Sequence, residues 1–156
     1  MYFIFGAAGL LLLLGDFAVK LLVRSRMRVF ETIPVIQDVF HITYVQNTGA
    51  AFSILSGQKW LLLAVTSALV LGILCYVIWK RPKNITLLLA LTLIVSGGLG
   101  NLIDRALLGF VVDYFDFRLI HFAVFNLADV FVVCGTVLLG IYLIFLEDKE
   151  KHAKEN

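Results

Sequence analysis

Four long runs of apolar residues, separated by three more polar stretches, dominate the chain; they cover residues 2–23, 60–79, 85–103 and 126–146. A helix rises about 1.5 Å per residue, so about 20 apolar residues cross a bilayer core of about 30 Å. The pattern predicts four membrane-spanning helices. Trp60 and Trp79 stand at the two ends of the second run, as aromatic belts stand at the ends of a spanning helix. The link at 80–84, Lys-Arg-Pro-Lys-Asn, is short enough to make the second and third runs antiparallel neighbours. The first run lacks the basic flank of a cleaved signal peptide, and Asp16 and Lys20 interrupt its second half.

The stretches at 24–59 and 104–125 alternate differently. Phe40, Ile42 and Tyr44 interleave with His41 and Thr43, the period of a half-exposed strand. Val35 and Ile36, after Pro34, are its expected partner across Gln37-Asp38. Phe110 to Phe117 is rich in aromatic and β-branched residues and reads as a further surface strand. The longer stretch, about 35 residues, is too short for an independent core. The predicted fold class is therefore an all-α membrane protein. It is a four-transmembrane-helix bundle with a small extracytoplasmic β-sheet on the membrane surface, forming one integral membrane domain over residues 1–156. Residues 147–156 form a charged tail.

Composition sharpens this picture. The chain is 61% hydrophobic with a mean hydropathy of +0.97, whereas ordinary globular domains are about 45–50% apolar. The net charge of +2 and the lack of a basic cluster with interleaved aromatics argue against nucleic acid. Basic residues orient the bundle. Lys80, Arg81, Lys83, Lys149, Lys151 and Lys154 lie on one side, and Arg24, Arg26, Arg28, Lys59, Arg105 and Arg118 on the other. The counts are equal, but three of the first set crowd into the five-residue link, the stronger cytoplasmic signal. Both termini are then expected in the cytoplasm, with the 24–59 and 104–125 stretches outside. Cys75 and Cys134 fall in apolar runs without metal spacing and read as small packing residues.

Candidate chemistry collects between Gly97 and Asp129, which hold four of the eleven acidic residues. Gly97, Gly98 and Gly100 open the third run to close helix contact. Asp104 and Arg105 close it and read most simply as a helix-end charge pair. Asp113 follows Val111-Val112 and precedes an aromatic pair, with Asp116 as its nearest rival. Asp129 stands one turn into the fourth run, three residues after Asn126; the plain structural reading is an Asn126 N-cap with Asp129 at the helix dipole. A carboxylate at the mouth of a membrane helix is costly without a partner or a task. Two that converge cannot both ionise easily, so one keeps a proton and the other draws a proton from water. Asp16 and Lys20, four apart, share a helix face, either as a self-neutralising ion pair or as a polar support inside the bundle. Ser53, Ser56 and Ser96 have no suitable His/Asp company, and His121 reads as an interfacial packing residue. No HExxH or comparable metal spacing occurs, so no metal and no cofactor is expected.

Five motifs occur in order: Asp16-x-x-x-Lys20, Asn47-Thr-Gly-Ala-Ala-Phe52, Gly97-Gly-x-x-Gly-Asn-x-x-Asp-Arg105, Val111-Val-Asp113 and Phe125-Asn-Leu-Ala-Asp129. On a four-helix frame they resemble bacterial lipoprotein signal peptidases (type II signal peptidases), which are intramembrane aspartyl proteases. The resemblance covers nearly the whole chain. It implies that Asp113 and Asp129 are the catalytic pair. It also implies that Asp16, Lys20, Asn47, Asn101, Arg105 and Asn126 hold the site together or grip the substrate backbone. One departure is Ala123, where many members have Pro. The resemblance further implies a monomer in the bacterial inner membrane, working beside membrane lipid near the extracytoplasmic face. Its substrates would be diacylglyceryl-prolipoproteins, cut before the lipidated cysteine. The alternative is a small proton-coupled transporter, which also uses intramembrane carboxylates. That reading expects acids near the bilayer middle and an internal repeat, and neither is visible.

Overall fold

A computed structural model describes residues 1–50 and 54–146. The Ala51-Phe52 end of the second motif, Ser53 and the tail at 147–156 lie outside the described residues. The elements in order are α1 (Tyr2–Arg26), β1 (Thr32–Ile36), β2 (Phe40–Asn47), α2 (Lys59–Lys80), α3 (Ile85–Leu108), β3 (Val111–Phe117) and α4 (Leu127–Ile141). A short 3-10 turn at Arg118–Ile120 follows β3, and α4 widens into a π-type turn over Tyr142–Leu146. All four apolar runs are thus helices long and apolar enough to cross a membrane.

The third helix is the axis of the bundle. Its apolar window is 56% buried, against 6%, 11% and 11% for α1, α2 and α4. The other three helices pack on it and present much of their apolar surface outward: Leu11, Val65, Ile78 and Val137 are all exposed. An apolar exterior of that extent suits lipid rather than water. Trp60 and Trp79 are exposed at opposite ends of α2, and the Lys80 ammonium lies 4.7 Å from the Trp79 ring centre.

Small residues bring α4 against α3. A Cβ on Gly97 would overlap the Ala128 carbonyl oxygen, and one on Gly100 would come within 2.6 Å of Asp16 Oδ2. Backbones that approach this closely need glycine at the contact.

Two helix ends differ from the sequence expectation. The third run does not close at Asp104-Arg105; the helix continues through Ala106, Leu107 and Leu108 and stops at Gly109, in the left-handed region at φ 88°. Those two charges are buried, so they interrupt the hydropathy pattern without meeting water. The first helix likewise runs beyond residue 23 to Arg26. The fourth starts as expected, with Asn126 as its N-cap.

The three strands make one antiparallel sheet in the order β1-β2-β3. Pro34 sits in the edge strand β1, the place where a missing N–H is tolerated. The turn at Asp38 takes a positive φ of 58°, which aspartate adopts more readily than most residues. Side chains alternate across a strand, so Asp113, Phe115 and Phe117 share one face of β3 while Val112, Tyr114 and Asp116 share the other. Val112 and Tyr114 pack with Val23 of α1, Met27 just after that helix and Tyr44 of β2. This cluster fixes the sheet to the end of α1 and places Asp113 beside the start of α4.

Candidate active site

Asn126 and Asp129 shape the mouth of α4 together. The Asn126 Oδ1 accepts from the Asp129 amide at 3.0 Å, and the Asp129 Oδ2 accepts from the Asn126 amide at 3.1 Å. The plain structural reading of Asn126 as an N-cap therefore holds, and its reciprocal partner is the carboxylate singled out for chemistry. The two roles coexist because a carboxylate has two oxygens. Asp129 Oδ1 is left for Asn101 Nδ2, 2.7 Å away.

Asp113 is 2% exposed. Its Oδ1 accepts from Asn126 Nδ2 at 2.6 Å, and its Oδ2 accepts from Asn47 Nδ2 at 2.9 Å. The Asn126 amide also donates to Asn101 Oδ1 at 3.1 Å. Asp113 and Asp129 are thus joined through two asparagine side chains. Both carboxylates line one cavity of about 590 Å³. Burial pushes the Asp113 carboxyl up to about 7, and the neighbouring charge of Asp129 adds to the rise. The Asn47 and Asn126 bonds oppose it, since they favour the ionised form.

A second knot lies behind Asn101. The Lys20 ammonium is 2.9 Å from Asp16 Oδ2 and 3.1 Å from Asp104 Oδ2, and it donates to Asn101 Oδ1 at 2.9 Å. Asp16 Oδ1 accepts from the Ala128 amide of α4 at 3.0 Å, and Asp104 Oδ2 accepts from the Val112 amide of β3 at 3.1 Å. Asp16 and Lys20 are therefore more than a self-neutralising surface pair: they are buried and brace two other elements. The pairing expected between Asp104 and Arg105 is not formed. Asp104 turns to Lys20, while Arg105 Nη2 donates to the Gly49 carbonyl at 2.6 Å. Consecutive helical residues point in different directions and so meet different neighbours. Asp104 was not among the expected site residues. Its local signal, a charge beside another charge, suggested a helix end and hid its partner 84 positions away.

All eight residues named from the sequence fall in this connected region. Asn47, Asn101, Arg105, Asp113 and Asp129 line the cavity, and Asp16, Lys20 and Asn126 support it from behind. Arg105 Nε is buried without a hydrogen-bond partner among the described residues. Most of the rest of the cavity wall is apolar, with Leu69, Ile94, Phe122, Phe125, Val130 and Val133 among its residues. Asp116 is elsewhere, on the opposite face of β3. Its Oδ2 accepts from Thr43 at 2.6 Å and pairs with Arg118 at 3.1 Å. Among the described residues no three His, Cys, Asp or Glu side chains gather as a metal ion would require. Ser96 donates to the Gly9 carbonyl and His121 is exposed, so neither joins the site.

Comparison with known proteins finds similar chains and a similar fold. Residues 8–145 match the family model described as signal peptidase (SPase) II. A lipoprotein signal peptidase from Clostridioides difficile is 50% identical over 144 residues, covering 91% of this chain and 96% of the relative. One from Halothermothrix orenii is 50% identical over 134 residues, covering 86% and 90%. A solved bacterial membrane enzyme superposes with a TM-score of 0.81 at 30% identity, over 92% of this chain and 87% of that one.

Proposed function

The chain belongs to the signal peptidase II family, and from that premise we propose that it removes the signal peptide from diacylglyceryl-modified prolipoproteins, using Asp113 and Asp129 to activate water. Family membership makes the chain a peptidase of a bacterial membrane, and it decides against the transporter alternative. The observation that carries the mechanism is the pair of carboxylates lining one cavity, bonded to asparagines and ion-paired to no cation among the described residues.

Asp113, raised to about 7 in part by its neighbour Asp129, holds the proton at rest, and Asp129 stands in the first turn of α4 as the base. A water between them loses a proton to Asp129 as its oxygen attacks the scissile carbonyl carbon. Asp113 donates its proton to the carbonyl oxygen, giving a neutral tetrahedral diol. Collapse breaks the C–N bond: the proton on Asp129 passes to the departing nitrogen, and Asp113 regains one from a diol hydroxyl. No covalent enzyme intermediate forms, and the proton balance closes. The free Arg105 Nε and the Asn47 amide are donors within reach of an extended backbone in the cavity. The apolar wall accommodates the lipid and signal-peptide side chains, with cleavage just before the lipidated cysteine. The polar end of the bundle faces outward, both termini lie in the cytoplasm, and one chain suffices for the reaction.

The test is processing of a diacylglyceryl prolipoprotein by purified protein in lipid, followed by the gel shift of the released product. Asp113→Asn and Asp129→Asn should each leave the precursor uncut while the protein still inserts in the membrane. Normal processing by either variant refutes the aspartate-pair mechanism.

A further inference from the structure

The first turn of an α-helix has amide groups with no partner inside the helix. In α4 each finds a different one. The Leu127 amide donates to the Tyr114 hydroxyl at 3.1 Å, the Ala128 amide to Asp16 at 3.0 Å and the Asp129 amide to Asn126 at 3.0 Å. The first of these stands apart. Tyr114 is a neutral residue, 1% exposed, and its backbone neighbour is Asp113. The same stretch of β3 is bonded to the entry of α4 through its backbone: the Tyr114 and Phe115 amides both donate to the Phe125 carbonyl, at 2.9 and 2.8 Å.

We infer that Tyr114 is a positioning residue for the aspartate pair: its hydroxyl, accepting the Leu127 amide, locks the first turn of α4 to β3 and so sets the separation of Asp113 and Asp129. The inference rests on the aspartate-pair reading above. Its basis is the geometry of one side chain. The Tyr114 ring is held on its own account, packed with Val23, Met27, Tyr44 and Val112 and 4.6 Å edge-on to Phe115. A phenylalanine would pack the same way and leave the Leu127 amide without a partner. The hydroxyl therefore serves α4 and not the strand. Burial raises the Tyr114 pKa above the ordinary tyrosine value, so the group stays neutral over the working pH range. Asp16 and Asn126 cap the same turn, but each also holds Lys20 or Asp113, so Tyr114 is the cap whose removal reports on position alone.

Two carboxylates act on one water only within hydrogen-bond reach, and a displacement near 1 Å costs about a hundredfold in rate. Displacement also has a titration signature. The charged groups facing Asp113 are Asp129 from α4, Lys20 from α1 with its partners Asp16 and Asp104, and Arg105 from α3; Asn47 from β2 completes the shell. Drift of Asp129 weakens one of the influences that raise Asp113. The alkaline limb of the pH–rate profile should then move to lower pH.

The experiment compares the full-length Tyr114→Phe and Tyr44→Phe variants in lipid on a diacylglyceryl substrate. Tyr44 belongs to the same core, but its hydroxyl accepts from Gln46, whereas the Leu127 amide of α4 donates to Tyr114. Tyr114→Phe should lower kcat about ten- to a hundredfold, leave KM within about twofold, and shift the alkaline limb to lower pH. Tyr44→Phe should change neither kcat nor the limb. Wild-type kcat and limb in Tyr114→Phe, or an equal loss in both variants, overturns the inference. If Tyr114→Phe does not fold, hydrogen exchange of the wild-type protein decides: the Leu127 amide should be protected like the helix interior, and fast exchange overturns the inference. Asp113→Asn and Asp129→Asn run alongside separate the failures. If both are inactive while Tyr114→Phe is normal, only the latch is wrong; if they are active, the pair reading itself fails.

Discussion

Two acidic clusters meet at Asn101, and they are wired in opposite ways. Behind it, Asp16 and Asp104 share the ammonium of Lys20, and each spends a further oxygen contact on a backbone amide of another element. In front of it, Asp113 and Asp129 receive, among the described residues, only neutral donors: three asparagine side chains and one backbone amide. An ammonium neighbour favours the charged form of a carboxylate by full Coulomb attraction. A neutral amide orients a carboxylate and favours its charged form more weakly. The rear cluster therefore serves as a brace, and the front cluster is the one suited to acid/base chemistry. Asn101 belongs to both, its carbonyl oxygen to Lys20 and its amide to Asp129.

Substitutions should separate the clusters by what they damage. The largest effect on rate belongs to the front: Asp113→Asn or Asp129→Asn should lower processing by about 10²–10⁴-fold with little loss of stability, measured by precursor cleavage beside thermal unfolding in detergent. Large destabilisation with residual normal turnover would reverse the assignment of the two clusters. The rear cluster should fail the other way. Lys20→Met leaves two buried acids uncompensated, and breaking a buried pair in this way costs about 3–5 kcal/mol. Unfolding in detergent should register it, with activity falling in step with the folded fraction. The smallest effect belongs to Asp116, outside both clusters. Its partner Arg118 is 44% exposed, and such pairs contribute about 0–1 kcal/mol. Asp116→Asn should process substrate within about twofold of the parent in the same assay.

The division of what could be foreseen follows sequence distance. Local periodicity sufficed for the four helices, because each apolar run is long enough to span and ends in turn or charge signals. It sufficed for β2 and β3 as well, and for the partner strand β1 in its second half. The Asn126 cap was visible from its spacing to Asp129. It was not visible that Asp104 and Arg105 sit inside a helix. The true stop, Gly109, carries the ordinary left-handed signal, but the charges before it drew the boundary forward. Their burial depends on Lys20 and Gly49, which no local window contains. The bond from Ala128 to Asp16, 112 positions apart, is the same kind of fact. So is the Tyr114 hydroxyl: the residue reads as a strand aromatic, and only the packing of β3 under α4 gives its oxygen a partner.

The five motifs reached further than periodicity because they mark positions that meet in space. Asp16-x-x-x-Lys20 and the Gly97–Arg105 segment, weak signals separately, form the α1·α3 side of one polar knot. Gly100 has its own reason in the structure, since Asp16 occupies the space a side chain would need.

The central claim is that Asp113 and Asp129 hold one proton between them. Carbon-13 NMR of labelled aspartate, with Asp113 assigned by substitution, measures it directly as a pH titration of the protein in lipid. The account predicts that Asp113 titrates near 7, and that Asp129→Asn lowers this value by removing a negative neighbour. An Asp113 that titrates in the ordinary carboxylate range, and is indifferent to Asp129→Asn, would contradict it.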